Sequence, residues 1–148
     1  MPFAEASTTI RRTPAELFEL LADPARAPDW MESCVALGPV TPGPLASGTR
    51  LHYTYRQGSR PGTMEGEVTA FAPAAALAMR FRDPKFTVDV QLQLHPVPEG
   101  TQVQHGIDII PGSFMGRLMS PLIQMGNRRQ VAGNLARLKR LAEGGPAT

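Results

Sequence analysis

The chain has 148 residues, 19% of them charged and 42% apolar, with a single cysteine and a formal net charge of +2. That length suits one domain, 1–148, able to bury roughly 70% of the surface its unfolded chain exposes. The lone Cys34 excludes an internal disulfide and favours a reducing, cytoplasmic setting, the first residues show no secretory leader, and no apolar run approaches the ~20 residues that span a bilayer.

Residues 3–11 become β-branched towards their end and predict a strand. Thr13-Pro14-Ala15-Glu16 then predicts a helix start, with Thr13 as N-cap, Pro14 in the first helical position and Glu16 completing a capping box. Leu17, Phe18 and Leu21 share one side of this helix, Asp23-Pro24 ends it, and residues 24–30 predict a second short helical turn. Residues 33–40 give a weak strand, closed by the proline and glycine cluster of 39–48. From Thr49 the pattern is strongly β. Leu51, Tyr53 and Tyr55 alternate with Arg50, His52, Thr54 and Arg56. Residues 58–62 predict a turn and 64–71 a strand. Leu77, Met79 and Phe81 alternate with Arg80 and Arg82. Phe86, Val88, Val90, Leu92 and Leu94 alternate with Thr87, Asp89, Gln91, Gln93 and His95. After a turn at 96–100, Val103, His105, Ile107 and Ile109 alternate with Gln102, Gln104 and Asp108. Short turns between strands with one apolar face each predict an antiparallel meander, about seven strands with the first included.

The segment from Ser120 to Gly144 carries the signals of a long helix, with Ser120 as N-cap, Pro121 at its first position and Gly144-Gly145-Pro146 as a stop. Val131, Leu135, Leu138 and Ala142 form one stripe, and Arg129, Arg137 and Arg140 lie opposite. From Pro111 onward six basic residues face Glu143 alone, a charge of +5; the remaining nine basic and twelve acidic residues leave −3 upstream. A basic helix can meet nucleic acid or an acidic membrane. No aromatic residues are interleaved here as stacking platforms, so the expectation is a solvated outer face, with no nucleic acid partner and no stable membrane insertion.

This order of elements resembles the START-like (SRPBCC) superfamily of Bet v 1-like proteins, lipid-transfer domains and aromatase/cyclases, and more narrowly the polyketide cyclase/dehydrase family. The likeness rests on Ile10-x-x-Thr13-Pro14-Ala15-Glu16-Leu17-Phe18-Glu19-Leu20-Leu21-Ala22-Asp23 and Pro28-Asp29-Trp30-Met31. Gly66-Glu67-Val68-Thr69-Ala70-Phe71-Ala72-Pro73, Gly100-Thr101-Gln102-Val103 and Leu135-x-x-Leu138-Lys139 extend it across nearly the whole chain. The resemblance implies an α+β helix-grip fold. In it a curved antiparallel sheet of six to seven strands wraps a long C-terminal helix, with two short helices after the first strand. It also implies a cavity between sheet and helix for a small hydrophobic or aromatic ligand such as a lipid, quinone or polyketide intermediate. No cofactor is expected.

Alternation sorts the polar residues by face. His52, Arg80, Arg82, Asp89, Gln91, Gln93 and Asp108 are expected outside. Tyr53, Tyr55 and His105 are expected inside, with Thr101 if the last strand starts early. The inward Met79, Phe81, Val88, Val90 and Ile107 would line a cavity, as ligand pockets are mostly apolar with a few placed polar groups. His105 is the sharpest candidate for acid/base work, and Tyr53 and Tyr55 for donating to an oxyanion. Equally, His105 can be a core histidine satisfied by a tyrosine hydroxyl or a water, and the tyrosines packing residues. Asn127 and Asn134 fall within about 60° of the centre of the helix stripe, where a buried amide needs a partner, either ligand or sheet carbonyl. Trp30 and Met31 either close one end of the cavity or pack on the first helix. Met115, Met119 and Met125, with Phe114 and Leu118, make the start of the C-terminal region soft and apolar, either to adapt to a ligand or to fill core gaps, and a kink or helix boundary at Ser120-Pro121 makes residues 113–120 a candidate gate. The three histidines have no metal-ligand spacing, and no nucleophile elbow, phosphate loop or dinucleotide fingerprint occurs.

Three functions remain open at this point: a carrier or sensor for a hydrophobic ligand, a cyclase or dehydratase using His105 and the tyrosines, and a protein-interaction role akin to related co-chaperone domains or ribosome-targeting toxins. A monomer or homodimer is expected.

Overall fold

The computed structural model describes residues 4–41, 43–57, 60–82, 86–111 and 120–144. Phe114, Met115, Leu118 and Met119, and with them the candidate gate, lie outside the described residues, as do Gly145 and Pro146. In the first turns of the long helix only the backbone is described, so the side chains of Met125 and Asn127 lie outside it too.

The elements follow as β1 (Ala4–Ile10), α1 (Pro14–Leu21), a 3-10 turn (Pro24–Arg26), α2 (Ala27–Trp30), β2 (Cys34–Pro39), β3 (Arg50–Gln57), β4 (Arg60–Ala72), β5 (Ala76–Arg82), β6 (Phe86–Val97), β7 (Gly100–Pro111) and α3 (Ser120–Gly144). The capping box at α1 is formed. Thr13 Oγ1 accepts from the Glu16 amide at 3.2 Å, and Glu16 Oε1 accepts from the Thr13 amide at 3.0 Å. Seven strands make one antiparallel sheet in the order β1-β7-β6-β5-β4-β3-β2. The meander is sequential from β2 to β7, and β1 closes against β7.

Two turns are tighter than the proline and glycine content predicts. Arg60, Pro61 and Gly62 belong to β4, paired with Gln57, Arg56 and Tyr55. Pro96 pairs with Thr101 and Val97 with Gly100, which leaves a two-residue connection at 98–99. Gly100 has a φ of 149°, and a Cβ there would lie 2.2 Å from the Ile10 carbonyl oxygen, so only glycine fits this corner. Two bulges also shift the alternation. In β2 the extra residue is Val35, pushed out to 47% exposure, so that Cys34 and Leu37 both stand beside the inward tyrosines. In β4 the shift between Val68 and Ala70 lets both Val68 and Phe71 face inward.

On α3, Val131, Leu135, Leu138 and Ala142 are buried and Arg129, Arg137 and Arg140 exposed. The buried stripe packs on β1, β7 and α2. Each fully buried Leu or Val side chain contributes about 1.5–3 kcal/mol. α1 buries Leu17, Phe18 and Leu21, with the Phe18 ring edge-on to Phe71 at 5.2 Å.

The C-terminal end of α3 is tied to the corner after β1. Lys139 Nζ donates to the Thr9 carbonyl, Arg12 Nε to the Ala142 carbonyl at 2.9 Å, and the Arg11 amide to Glu143 Oε2 at 2.9 Å. The Lys139 ammonium and the Arg11 amide hold the Glu143 carboxyl below its ordinary pKa. Thr101, inward and fully buried, donates to the Arg12 carbonyl at 2.7 Å. It therefore serves this corner.

Candidate functional site: the inner face of the sheet

His105 stands on β7 opposite Leu92 and Ala6, its ring fully buried. Its Nδ1 lies 3.0 Å from the Gln91 carbonyl oxygen, and a carbonyl only accepts, so Nδ1 carries the proton. Nε2 then accepts from Asn134 Nδ2 at 3.1 Å. Asn134 Oδ1 in turn accepts from the Glu32 amide at 2.8 Å, an orientation forced because a backbone N–H can only donate. One relay thus joins α3, the segment after α2, β7 and β6. Burial lowers the His105 pKa to about 4, although its bond to the Gln91 carbonyl works in the opposite direction. At neutral pH the ring is an uncharged imidazole with both nitrogens committed. Its partners are an asparagine and a sheet carbonyl, where the sequence suggested a tyrosine or a water. Asn134 likewise meets a histidine and a loop amide in place of ligand or sheet carbonyls.

Trp30 and Met31 belong to the core. The Trp30 ring lies edge-on to His105, centroids 5.9 Å apart. Among the described residues, Trp30 Nε1 is the one buried side-chain nitrogen or oxygen with no hydrogen-bond partner. A buried donor left unpaired costs about 1–3 kcal/mol.

A second group gathers on β3 and β5. Tyr53 stacks on Tyr55 at 5.7 Å and tilts against Phe81 at 4.9 Å. Two inward glycines of β4 make room for these rings. A Cβ on Gly62 would lie 2.4 Å from Tyr55 Cζ, and one on Gly66 2.4 Å from Phe81 Cδ1. Burial, with smaller contributions from Cys34 and Tyr55, raises the Tyr53 pKa far above its usual value, so the phenol keeps its proton. Burial also pushes the Cys34 thiol up to about 11, which leaves it a packing group.

No hydrogen bond or ring contact among the described residues joins the two groups. β7 and β3 are four strand spacings apart in the sheet, about 19 Å along its surface. Between them run the inward rows Met79–Val90–Ile107 and Phe81–Val88–Ile109. Met79, Phe81, Val90 and Ile107 are buried, whereas Tyr55, Phe86, Val88 and Ile109 are only half-buried. Among the described residues, apolar cover therefore thins towards the Val88 and Ile109 end.

The outer face carries a cross-strand row, Arg50–Glu67–Arg80–Asp89–Asp108. Arg80 grips Asp89 with both ends of its fork, at 2.6 and 2.9 Å. An open depression of about 250 Å³ lies there, lined by Val40, Glu65, Gly66 and Arg82 as well as Arg50, Glu67 and Arg80. Asp108 departs from expectation. It sits on the outer face beside Asp89, yet it is buried, and burial together with the neighbouring Asp89 carboxylate raises its pKa. Among the described residues no cluster of three or more His, Cys, Asp or Glu side chains is arranged to hold a metal ion, and no helix is long and apolar enough to cross a membrane.

Residues 1–143 match the family described as "Polyketide cyclase / dehydrase and lipid transport". The chain belongs to this family. Its members' fold recurs in solved structures at low identity. TTHA0849 from Thermus thermophilus is 17% identical, with a TM-score of 0.77, covering 94% of this chain and 95% of that one. The di-domain ARO/CYC StfQ from the steffimycin biosynthetic pathway is 11% identical, with a TM-score of 0.74, covering 96% of this chain and 50% of that one. Ara h 8.0201 is 13% identical, with a TM-score of 0.59, covering 90% and 97%. No curated protein matches the chain. The family and these neighbours identify the architecture as the helix-grip fold of the SRPBCC superfamily, a seven-stranded curved sheet with a C-terminal helix.

Proposed function

We propose that the protein binds a small hydrophobic or aromatic ligand between the inner face of the sheet and α3, as a carrier or sensor. The observation that carries this reading is the half-buried inner face at Tyr55, Val88 and Ile109. Apolar side chains that point inward and still meet solvent are a surface a hydrophobic molecule can cover. The family description, which includes lipid transport, agrees with it.

A cyclase or dehydratase would need an acid and a base converging on one substrate atom. His105 is uncharged with both nitrogens taken, and Tyr53 keeps its proton four strands away. His105→Ala, which would separate carrier from enzyme if the ring lay free on the wall, is a poor discriminator here. It also strands the Asn134 amide inside the core.

Native mass spectrometry of the purified protein tests the reading directly. A carrier holds a small apolar molecule that organic solvent releases and that returns unchanged after incubation with the protein. Recovery of a cyclised or dehydrated product would overturn the carrier reading in favour of the enzyme.

A further inference from the structure

Three rings on the inner face form a column. Phe81 lies against Tyr53 with centroids 4.9 Å and planes 35° apart, and Tyr53 stacks on Tyr55 at 5.7 Å and 26°. The column is closed at one end and open at the other. Phe81 is 1% exposed and Tyr53 8%, whereas Tyr55 is half-buried. Of the three rings, Tyr55 is the one with surface left for a ligand to cover.

Its neighbours say which surface that is. Tyr53 covers one face of the ring. The edge formed by Cε1, Cζ and the hydroxyl lies across β4 at Gly62, where a Cβ would come within 2.9, 2.4 and 2.5 Å of those atoms. A glycine inside a strand marks a place where another group must approach closely, and here that group is the Tyr55 ring. What remains is the face turned away from Tyr53. Leu51, Gly66, Phe81 and Val88 share one inward row across β3 to β6, and Tyr55 stands four residues beyond Leu51, towards the β3–β4 turn. The half-buried Val88 and Ile109 are paired in that same row, so Tyr55 lies on the side where the inner face loses its cover.

We propose that the open face of Tyr55 is the contact that selects the ligand, and that it selects for an aromatic ring. The ligand's ring stacks there as the fourth member of the Phe81–Tyr53–Tyr55 column, so the site prefers aromatic molecules over saturated ones of the same skeleton. The proposal rests on the ligand-binding reading above and narrows its ligand class. A saturated ring gains only from leaving water, in proportion to the area it buries. An aromatic ring gains that and also the offset-stacked or edge-to-face attraction between two π systems.

The probes are 2-naphthol and trans-2-decalol, which share a fused ten-carbon skeleton and a hydroxyl and differ in aromaticity. Both are expected to bind, naphthol the more tightly. Tyr55→Leu is expected to lower the naphthol-to-decalol affinity ratio about fivefold, the worth of one aromatic pair. Tyr55→Phe keeps the ring and should keep the ratio. The chain has two tyrosines, so protein labelled at the tyrosine rings gives two sets of signals, and bound naphthol should show proton–proton contacts to the Tyr55 ring. Equal affinity for the two probes, a ratio unchanged by Tyr55→Leu, or a ratio lost as fully in Tyr55→Phe overturns the stacking role of Tyr55 while ligand binding stands. Naphthol bound without contact to the Tyr55 ring does the same. If neither probe binds at the inner face, the ligand-binding reading fails and the Tyr55 assignment with it. The contact measurement uses the unsubstituted protein, so a poorly folded Tyr55→Leu would not leave the question open.

Discussion

At the scale of the residue, His105 shows how burial decides chemistry. An imidazole in water charges near pH 6.5, and this one is held neutral down to about pH 4 by burial. The consequence for stability has a definite sign. Between pH 6.5 and 4 the unfolded chain takes up a proton that the folded ring refuses, so stability is full above pH 6.5 and falls as pH drops towards 4. The loss at this site is about 3 kcal/mol. NMR of the imidazole nitrogens is expected to show the neutral form protonated at Nδ1 at pH 5.5. A titration midpoint near 6.5 would contradict the buried relay. Alternation placed His105 inward, and helix periodicity placed Asn134 on the buried stripe. That the two side chains meet was not legible, because period-two and period-3.6 patterns assign faces and say nothing of which residues face one another across them. The unpaired Trp30 nitrogen is further still from sequence, since only a full accounting of partners reveals it.

At the scale of the element, the sheet is legible in outline and illegible at its irregularities. Alternating apolar residues locate β3, β5, β6 and β7 because one face of each strand is buried. The bulges in β2 and β4 carry no local signature, as an extra residue is tolerated wherever the partner strand allows it. The hairpins at 58–62 and 96–100 are tighter than their prolines suggest, since Pro61 and Pro96 each sit in paired strands near a turn. The glycines of β4 are read by what lies over them. At Gly66 a Cβ would meet both the Phe81 ring and the Arg80 carbonyl oxygen at 2.6 Å, and the backbone cannot step aside. Gly66→Ala is therefore expected to cost about 1–3 kcal/mol. Gly62→Ala should cost less, since only the free end of the Tyr55 ring must move. Urea midpoints of the two variants check the order, and equal losses would contradict it.

At the scale of the whole molecule, the long helix closes the fold through contacts distant in sequence. Leu138 and Ala142 are buried against the sheet, and Lys139, Ala142 and Glu143 bind the corner at residues 9–12. A chain ending at residue 137 is expected to lose about 4 kcal/mol or more, from two buried side chains and three long-range hydrogen bonds. That is a large share of ordinary domain stability. Urea unfolding followed by circular dichroism measures it, and a midpoint equal to that of the full chain would show the corner to be dispensable. The sequence by itself determined the order of the elements, the faces they bury and the cap that starts α1, because those depend on neighbours within a few positions. The tertiary structure alone decided that β1 closes against β7, that Asp108 is buried on the outer face, and that His105 is spent on Asn134. It alone left the Trp30 N–H without a partner among the described residues. Each of these outcomes joins residues far apart in the chain, and no local pattern carries the three-dimensional distances that bring them together.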